Sequence, residues 1–391
     1  MDLKQHVLDG FARSFGTGEM PRLFFSPGRV NLIGEHIDYN GGLVFPCAIT
    51  LGTYGAFRKR SDEKVKLYTG NFNSIVEFSL EELEYDQKHG WGNYPKAVIS
   101  LLQERKPLGG FEMYIHGNLP SGAGLSSSAC LNTLFAFALD TVFEVGLTAV
   151  ERALLCQKAE HINGVNCGIM DPFACGLGKK DHTILLNCAT LEYQLVPLQL
   201  GDYRIVLANT NYRRGLADSK YNERRAECEE ALADLQAVIS IKELCDLSAE
   251  EFEKHKHAIK EELPKKRAEH AVYENYRTKD AARALTEGNL DEMGKAMVAS
   301  HLSLRELYDV VGDALDALFI PSYEYGVSNP GTVHGTRMTG AGFGGCTVSI
   351  VHKGAVEDFI KVVGEKYAAQ TGLTADFYVA EVADGAKELK V

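Results

Sequence analysis

The stretch Leu119–Ala129, LPSGAGLSSSA, constrains this chain more than any other. It follows Phe111–His116, which alternates like a strand, and leads into an apolar helix expected from about Leu125 to Phe143. A glycine-rich turn between a strand and a helix presents backbone N–H groups at the positive end of the helix dipole, which suits a phosphate or another anion. It is not a Walker-type loop, because no Lys-Ser/Thr follows the glycines, and Ser127 stands where a dinucleotide fingerprint needs its third glycine. The alternative is a glycine turn before a capped helix, since serine is a favoured N-cap. Three consecutive serines exceed what one cap requires.

Around this anchor the first half mixes strands and helices. Arg22–Phe25, Ala48–Phe57 and Lys64–Thr69 read as strands, and Asn93–Gln103 and about Thr148–Glu160 as helices. Thr183–Leu186 and Leu191–Leu195 read as a hairpin. Arg204–Ala208 is strand-like, and residues 216–318 are charge-rich and mostly helical. Strands return at His334–Met338 and Thr347–His352, and a helix at about Val356–Ala369 and a strand at Phe377–Val379 close the chain. The pattern predicts an α+β fold in two domains, residues 1–200 and 201–391.

Composition removes other classes. With 53 acidic and 41 basic residues the net charge is -12, a poor match to the phosphate-neutralising surface that non-specific nucleic-acid binding needs. No apolar run reaches the roughly 18 residues of a membrane-spanning helix. MDLKQHVLDGF carries charges where a secretory leader is apolar. The nine cysteines are scattered, with no C-x-x-C pair, which suits a cytoplasmic location rather than a disulfide framework or zinc site. No obligate protein partner is evident.

Three further segments carry chemistry. Pro27–Gly42, PGRVNLIGEHIDYNGG, gathers Glu35, His36 and Asp38, a dense hydrogen-bonding set for a polyhydroxylated small molecule. Metal ligation and a merely solvated loop are the alternatives. Met338–Cys346, MTGAGFGGC, spells G-x-G-x-x-G, but a strand-like run follows where a dinucleotide fold needs a helix. A loop packed closely on a ligand or on another backbone fits better, and a plain turn between strands remains open. In Cys167–Phe173, CGIMDPF, Asp171 reads either as the cap of a helix starting at Pro172 or as a carboxylate held for general-base work.

In chain order the three glycine segments, Pro27–Gly42, Leu119–Ala129 and Met338–Cys346, resemble those of the small-molecule kinases grouped as GHMP kinases (galactokinase, homoserine kinase, mevalonate kinase, phosphomevalonate kinase). GRVNLIGEHIDYNGG is similar to the signature of the galactokinase branch, and the resemblance runs from about Pro27 to the C-terminal strand. It implies a ribosomal-S5-like N-terminal domain, a ferredoxin-like C-terminal domain with extra helices, and an active site between them. It also implies transfer of the γ-phosphoryl group of ATP to the C1 hydroxyl of α-D-galactose, the first committed step of galactose catabolism, with galactose, ATP and Mg²⁺ as ligands.

By position, Asp171 and Arg29 match the catalytic pair. Glu35, His36, Ile37, Asp38 and Tyr221 match the sugar site. Gly122, Ala123, Gly124, Leu125, Ser126, Ser127 and Ser128 match the phosphate loop, and Thr69 falls near a nucleotide-contacting position. Ser128 and Glu160 match the Mg²⁺ ligands. Arg29 would bring a permanent charge with fork geometry to the phosphoryl oxygens and keep Asp171 ionised. Pro172 stands where the family usually has Gln, a substitution that leaves a helix start intact. The stretch from Glu160 to Asp171 is one residue shorter than usual. A kinase for a related sugar such as N-acetylgalactosamine, and a non-catalytic binder of galactose and ATP, are the competing functions.

Overall fold

The computed structural model describes residues 2–120, 122–212 and 217–390. A six-stranded sheet runs in the order Lys387–Leu389, Arg22–Asn31, Pro46–Lys59, Phe111–Gly117, Lys64–Thr69, Ser74–Ser79. Its neighbours are antiparallel except for Lys64–Thr69 beside Phe111–Gly117, which are parallel. The alternation in Phe111–His116 does mark a strand, yet its first five residues are buried on both faces. One face meets the helix Leu3–Phe15 through Val7, Phe11 and Tyr114. The other meets the helices Asn93–Gln103 and Ser127–Phe143 through Phe57, Met113, Leu134, Phe135 and Leu139. Each such buried aromatic contributes about 1.5–3 kcal/mol by leaving water.

The second sheet is antiparallel in the order Val333–Thr339, Cys346–His352, Tyr203–Asn209, Asp376–Ala380. A small third sheet joins Leu43–Val44 to the hairpin His182–Asn187 and Tyr193–Pro197. Between the strands Tyr203–Asn209 and Val333–Thr339 the chain is helical, with Ala217–Gln236, Glu262–Thr286, Leu290–Glu306 and Gly312–Ser328 as the long elements. No helix among the described residues is long and apolar enough to cross a membrane.

Three expectations need correction. The strand Asp376–Ala380 does not close the chain, because Lys387–Leu389 follows and pairs with Leu23–Phe25 at the edge of the first sheet. The long apolar helix begins at Ser127, since Ser126 has a left-handed backbone, φ 63°. The helix near Asp171 begins two residues earlier than a start at Pro172, at Met170, after Ile169 as cap.

Candidate active site

The strand Arg22–Asn31 carries a bulge between Pro27 and Arg29. Gly28 sits there against the Leu119 side chain and the Leu125 carbonyl, with no room for a Cβ. The bulge turns Arg29 inward, leaving its side chain 3% exposed, while its partner Asp171 is 26% exposed. Arg29 Nε donates to Asp171 Oδ1 at 2.8 Å and Nη2 to Oδ2 at 2.9 Å. Ser126 Oγ donates to the same Oδ2 at 2.6 Å. Burial alone would make the guanidinium easier to deprotonate, but the charges of Asp171 and Glu35 outweigh it and hold Arg29 cationic. Asp171 caps nothing. It lies in the first turn of Met170–Leu177, and its carboxylate is taken by Arg29 and Ser126.

The glycine turn now has a reason. Gly122 and Gly124 take φ of 71° and 72°, values that only glycine adopts freely. The Gly124 carbonyl accepts from Arg29 Nη1 at 2.7 Å. Ser126 bonds Asp171, so no side chain caps the helix Ser127–Phe143, and its N-terminus faces the cleft. Gly122, Gly124, Ser126, Ser127 and Ser128 line one cavity with Arg29 and Asp171. Ala123 and Leu125 do not line it, because their side chains are buried in the core and anchor the loop from behind. Thr69 lies apart, in a neighbouring pocket with Asn71, Trp91, Tyr94, Ser127 and Ser128.

Glu160, on the helix Ala149–Ile162, closes the cavity floor, so the shorter connection to Asp171 leaves it facing inward. It is 1% exposed, and its Oε1 accepts from Asn132 Nδ2 at 3.0 Å. Burial pushes its carboxyl up to about 7, against the opposing influence of the neighbouring Ser128 hydroxyl. Among the described residues its Oε2 is buried without a hydrogen-bond partner. An orphan carboxylate oxygen beside a serine hydroxyl fits a divalent cation. Among the described residues no cluster of three ligating side chains exists, as Mg²⁺ requires none: it takes one or two carboxylates and fills its shell with phosphate and water.

The opposite wall holds Glu35, His36, Asp38, Tyr221 and Asn222, with Gly340 and Ala341 of the third glycine segment. His36 has a left-handed backbone, φ 61°. Burial and the neighbouring His270 push its imidazole down to about 3, so it is neutral. Its Nε2 lies 3.2 Å from the Ala341 carbonyl, which only accepts, so that nitrogen carries the proton. Nδ1 then accepts from the Tyr39 hydroxyl at 2.8 Å, and Tyr39 from Tyr308 at 2.9 Å. Tyr221 packs on His36 and Tyr39, ring centroids 5.5 and 5.6 Å away. Burial, then the charge of Asp171, pushes the Asp38 carboxyl up to about 7. Gly168 leaves room for that carboxylate, since a Cβ there would overlap both Asp38 oxygens. Ile37 does not reach the cavity. It is fully buried, in a cluster with Val44, Phe173 and Ile184.

Reading by sequence passed over Asn222 at the cleft wall, whose buried Oδ1 has no hydrogen-bond partner among the described residues. Its signal was its place beside Tyr221 in SKYNERR. Arg337, which binds Glu35, was also passed over.

Comparisons with known proteins fit this geometry. Residues 9–59 match the galactokinase galactose-binding signature, 93–179 the GHMP kinase N-terminal domain and 281–369 the GHMP kinase C-terminal domain. The chain is 53% identical to a galactokinase of Fusobacterium nucleatum over 96% of both chains. It is 49% identical to that of Bacillus subtilis over 99% of this chain and 100% of that one. A crystal structure of Lactococcus lactis galactokinase complexed with galactose superposes with a TM-score of 0.94 at 46% identity, over 98% of each chain. Methanococcus jannaschii mevalonate kinase, at 17% identity and TM-score 0.68 over 94% of this chain and 100% of that one, shares the fold.

Proposed function

The chain belongs to the galactokinase family of GHMP kinases, and from that premise we propose that this cleft joins the γ-phosphoryl group of ATP to the C1 hydroxyl of α-D-galactose. The observation that carries the assignment of roles is the bidentate Arg29–Asp171 pair with Ser126, set between a helix N-terminus and the Glu35–Asp38 wall. Asp171 accepts the proton of the attacking hydroxyl. Arg29, cationic and rigid, faces the phosphoryl oxygens, whose charge spreads in the transition state. The loop Gly122–Ser128 and the first N–H groups of its helix hold the phosphates.

Ser128 and Glu160 would hold Mg²⁺, which neutralises phosphate charge when bound. The neighbouring pocket, with Thr69, Trp91 and Tyr94, takes the nucleoside, since it shares Ser127 and Ser128 with the phosphate loop. Glu35, His36, Asp38 and Tyr221 hold the sugar, with Ile37 as the buried support of that segment. A misplaced sugar hydroxyl leaves a buried acceptor unpaired there, which rejects poor matches by about 10⁴-fold. A division into domains 1–200 and 201–391 is supported by the change from the first sheet to the second, with Lys387–Leu389 returning to the first. The cysteines form no disulfide, which supports a cytoplasmic location.

Coupled measurement of ADP release over a panel of sugars tests this reading. Fast turnover of galactose with slow turnover of N-acetylgalactosamine is the expected outcome. Equal turnover of both, or binding without turnover, overturns it.

A further inference from the structure

Arg337 lies two residues before the end of the strand Val333–Thr339, just ahead of the glycine segment Met338–Cys346, and its side chain is fully buried. Its Nη1 donates to Glu35 Oε2 at 2.6 Å and to the Asn31 carbonyl at 3.1 Å. Among the described residues its Nε and Nη2 have no hydrogen-bond partner, so the side-chain bonds it makes there go to the sugar segment. Glu35 in turn accepts from the Gly340 N–H at 2.8 Å, Asn31 Nδ2 at 2.6 Å and the Thr339 hydroxyl at 3.3 Å. Gly340, at φ 82°, presses on the Gly124 carbonyl of the phosphate loop, where a Cβ would not fit. That carbonyl also receives Arg29. Glu35, His36, Gly340 and Ala341 all line the cleft, whereas Arg337 does not. Its effect on chemistry must pass through them.

We propose that Arg337 is a positioning residue for phosphoryl transfer: paired with Glu35, it fixes the sugar segment against the third glycine segment, and so against the phosphate loop. This rests on the galactose-kinase reading of the cleft. Charge supports the geometry. Burial raises the Glu35 carboxyl, and Arg337 is the largest opposing influence, ahead of the Gly340 N–H and Arg29. The other groups packed around it cannot take over. His36 from its own segment and His270 from the helix Glu262–Thr286 are neutral, held down to about 3 and about 4 by burial. His301 from Leu290–Glu306 is lowered by burial as well. Glu274 has its own partner in Arg277, at 2.7 Å, and Asp171 is a carboxyl group already paired with Arg29. Without Arg337, Glu35 therefore takes a proton at higher pH. A protonated carboxyl meets the Asn31 and Gly340 donors with a hydrogen of its own, and the clasp opens.

The experiment measures kcat and KM for galactose and ATP from about pH 6 to pH 9 in Arg337→Met, Arg337→Lys, Glu35→Gln and Arg337→Met/Glu35→Gln. Arg337→Met should lose about 10²-fold in kcat/KM at neutral pH, as a misplacement near 1 Å does, and gain an acid limb beyond the one that Asp38 and Glu160 give the parent. Arg337→Lys should lose less and keep the parental profile, and the double variant should lack the new limb. Glu35→Gln should raise KM for both substrates. An unchanged profile in folded Arg337→Met, or an added acid limb that survives the double variant, overturns the proposal. Should Arg337→Met fail to fold, Glu35→Gln decides: a KM rise for galactose alone is a sugar contact without a clasp. Failure of the galactose reading would show instead as no galactose turnover in the parent protein.

Discussion

A carboxylate that accepts a proton in a transition state must be oriented without being neutralised by its surroundings. Asp171 meets this through geometry: two guanidinium bonds and one serine hydroxyl fix its plane, and its 26% exposure turns it to the cleft. Asp171→Asn keeps the size of the side chain and loses the acceptor charge. It should lower kcat by about 10²–10⁴-fold, the usual contribution of a positioned base, while galactose Kd measured by calorimetry stays near the parent value. Near-normal kcat would return Asp171 to a purely structural role. Both readings of this residue were open in CGIMDPF. What supports the second is Arg29, brought to it across the fold by a bulge in the strand Arg22–Asn31.

Elements differ in how far local sequence determines them. Asn93–Gln103 and Lys64–Thr69 are where periodicity puts them, because each presents its apolar face to a core that its own spacing announces. Ser74–Ser79 and Lys387–Leu389 escape such a reading. They are short edge strands whose identity comes from the strand beside them, and Lys387–Leu389 finds its partner at Leu23–Phe25. The helix Leu3–Phe15 was legible, with Asp2 as cap and Val7, Phe11 and Phe15 at four-residue spacing. Testing that segment only for a leader passes over it. The glycine segments were legible as turns, but which ligand or backbone they approach is a tertiary fact. Gly168 shows the consequence at this scale. It belongs to the connection before Met170–Leu177, and its missing Cβ makes room for Asp38 on another element. Gly168→Ala should push that carboxylate from its place and raise the galactose KM by about tenfold or more, with a smaller effect on kcat. Steady-state kinetics at saturating ATP checks this, and an unchanged galactose KM would mean that Asp38 does not set sugar affinity.

A chain of net charge -12 that binds a triphosphate must concentrate its positive features at one place. The cleft does so with Arg29 and an uncapped helix N-terminus, and it also crowds Glu35, Asp38, Glu160 and Asp171 into one cavity. That crowding links pH to the stability of the whole molecule. Burial, then Asp171, raises the Asp38 carboxyl to about 7 from an ordinary 3.8. Between these values the folded chain keeps a proton that the unfolded chain has released, so the slope of unfolding free energy with pH is negative. The stabilising contribution is complete below about pH 4 and is lost as pH rises through about 7. The unliganded protein should therefore lose Tm between about pH 5 and pH 8, and Asp38→Asn, which cannot titrate, should lose less. Other acidic groups act equally in both chains, so the difference between the two curves isolates Asp38. Sugar hydroxyls donate to the ionised form, so galactose should raise Tm more at about pH 8 than at pH 5, with proton release on binding. Parallel Tm curves for parent and variant would show that the Asp38 carboxyl keeps its ordinary affinity for the proton. Sugar binding in this cleft would then carry no pH dependence of its own from that wall.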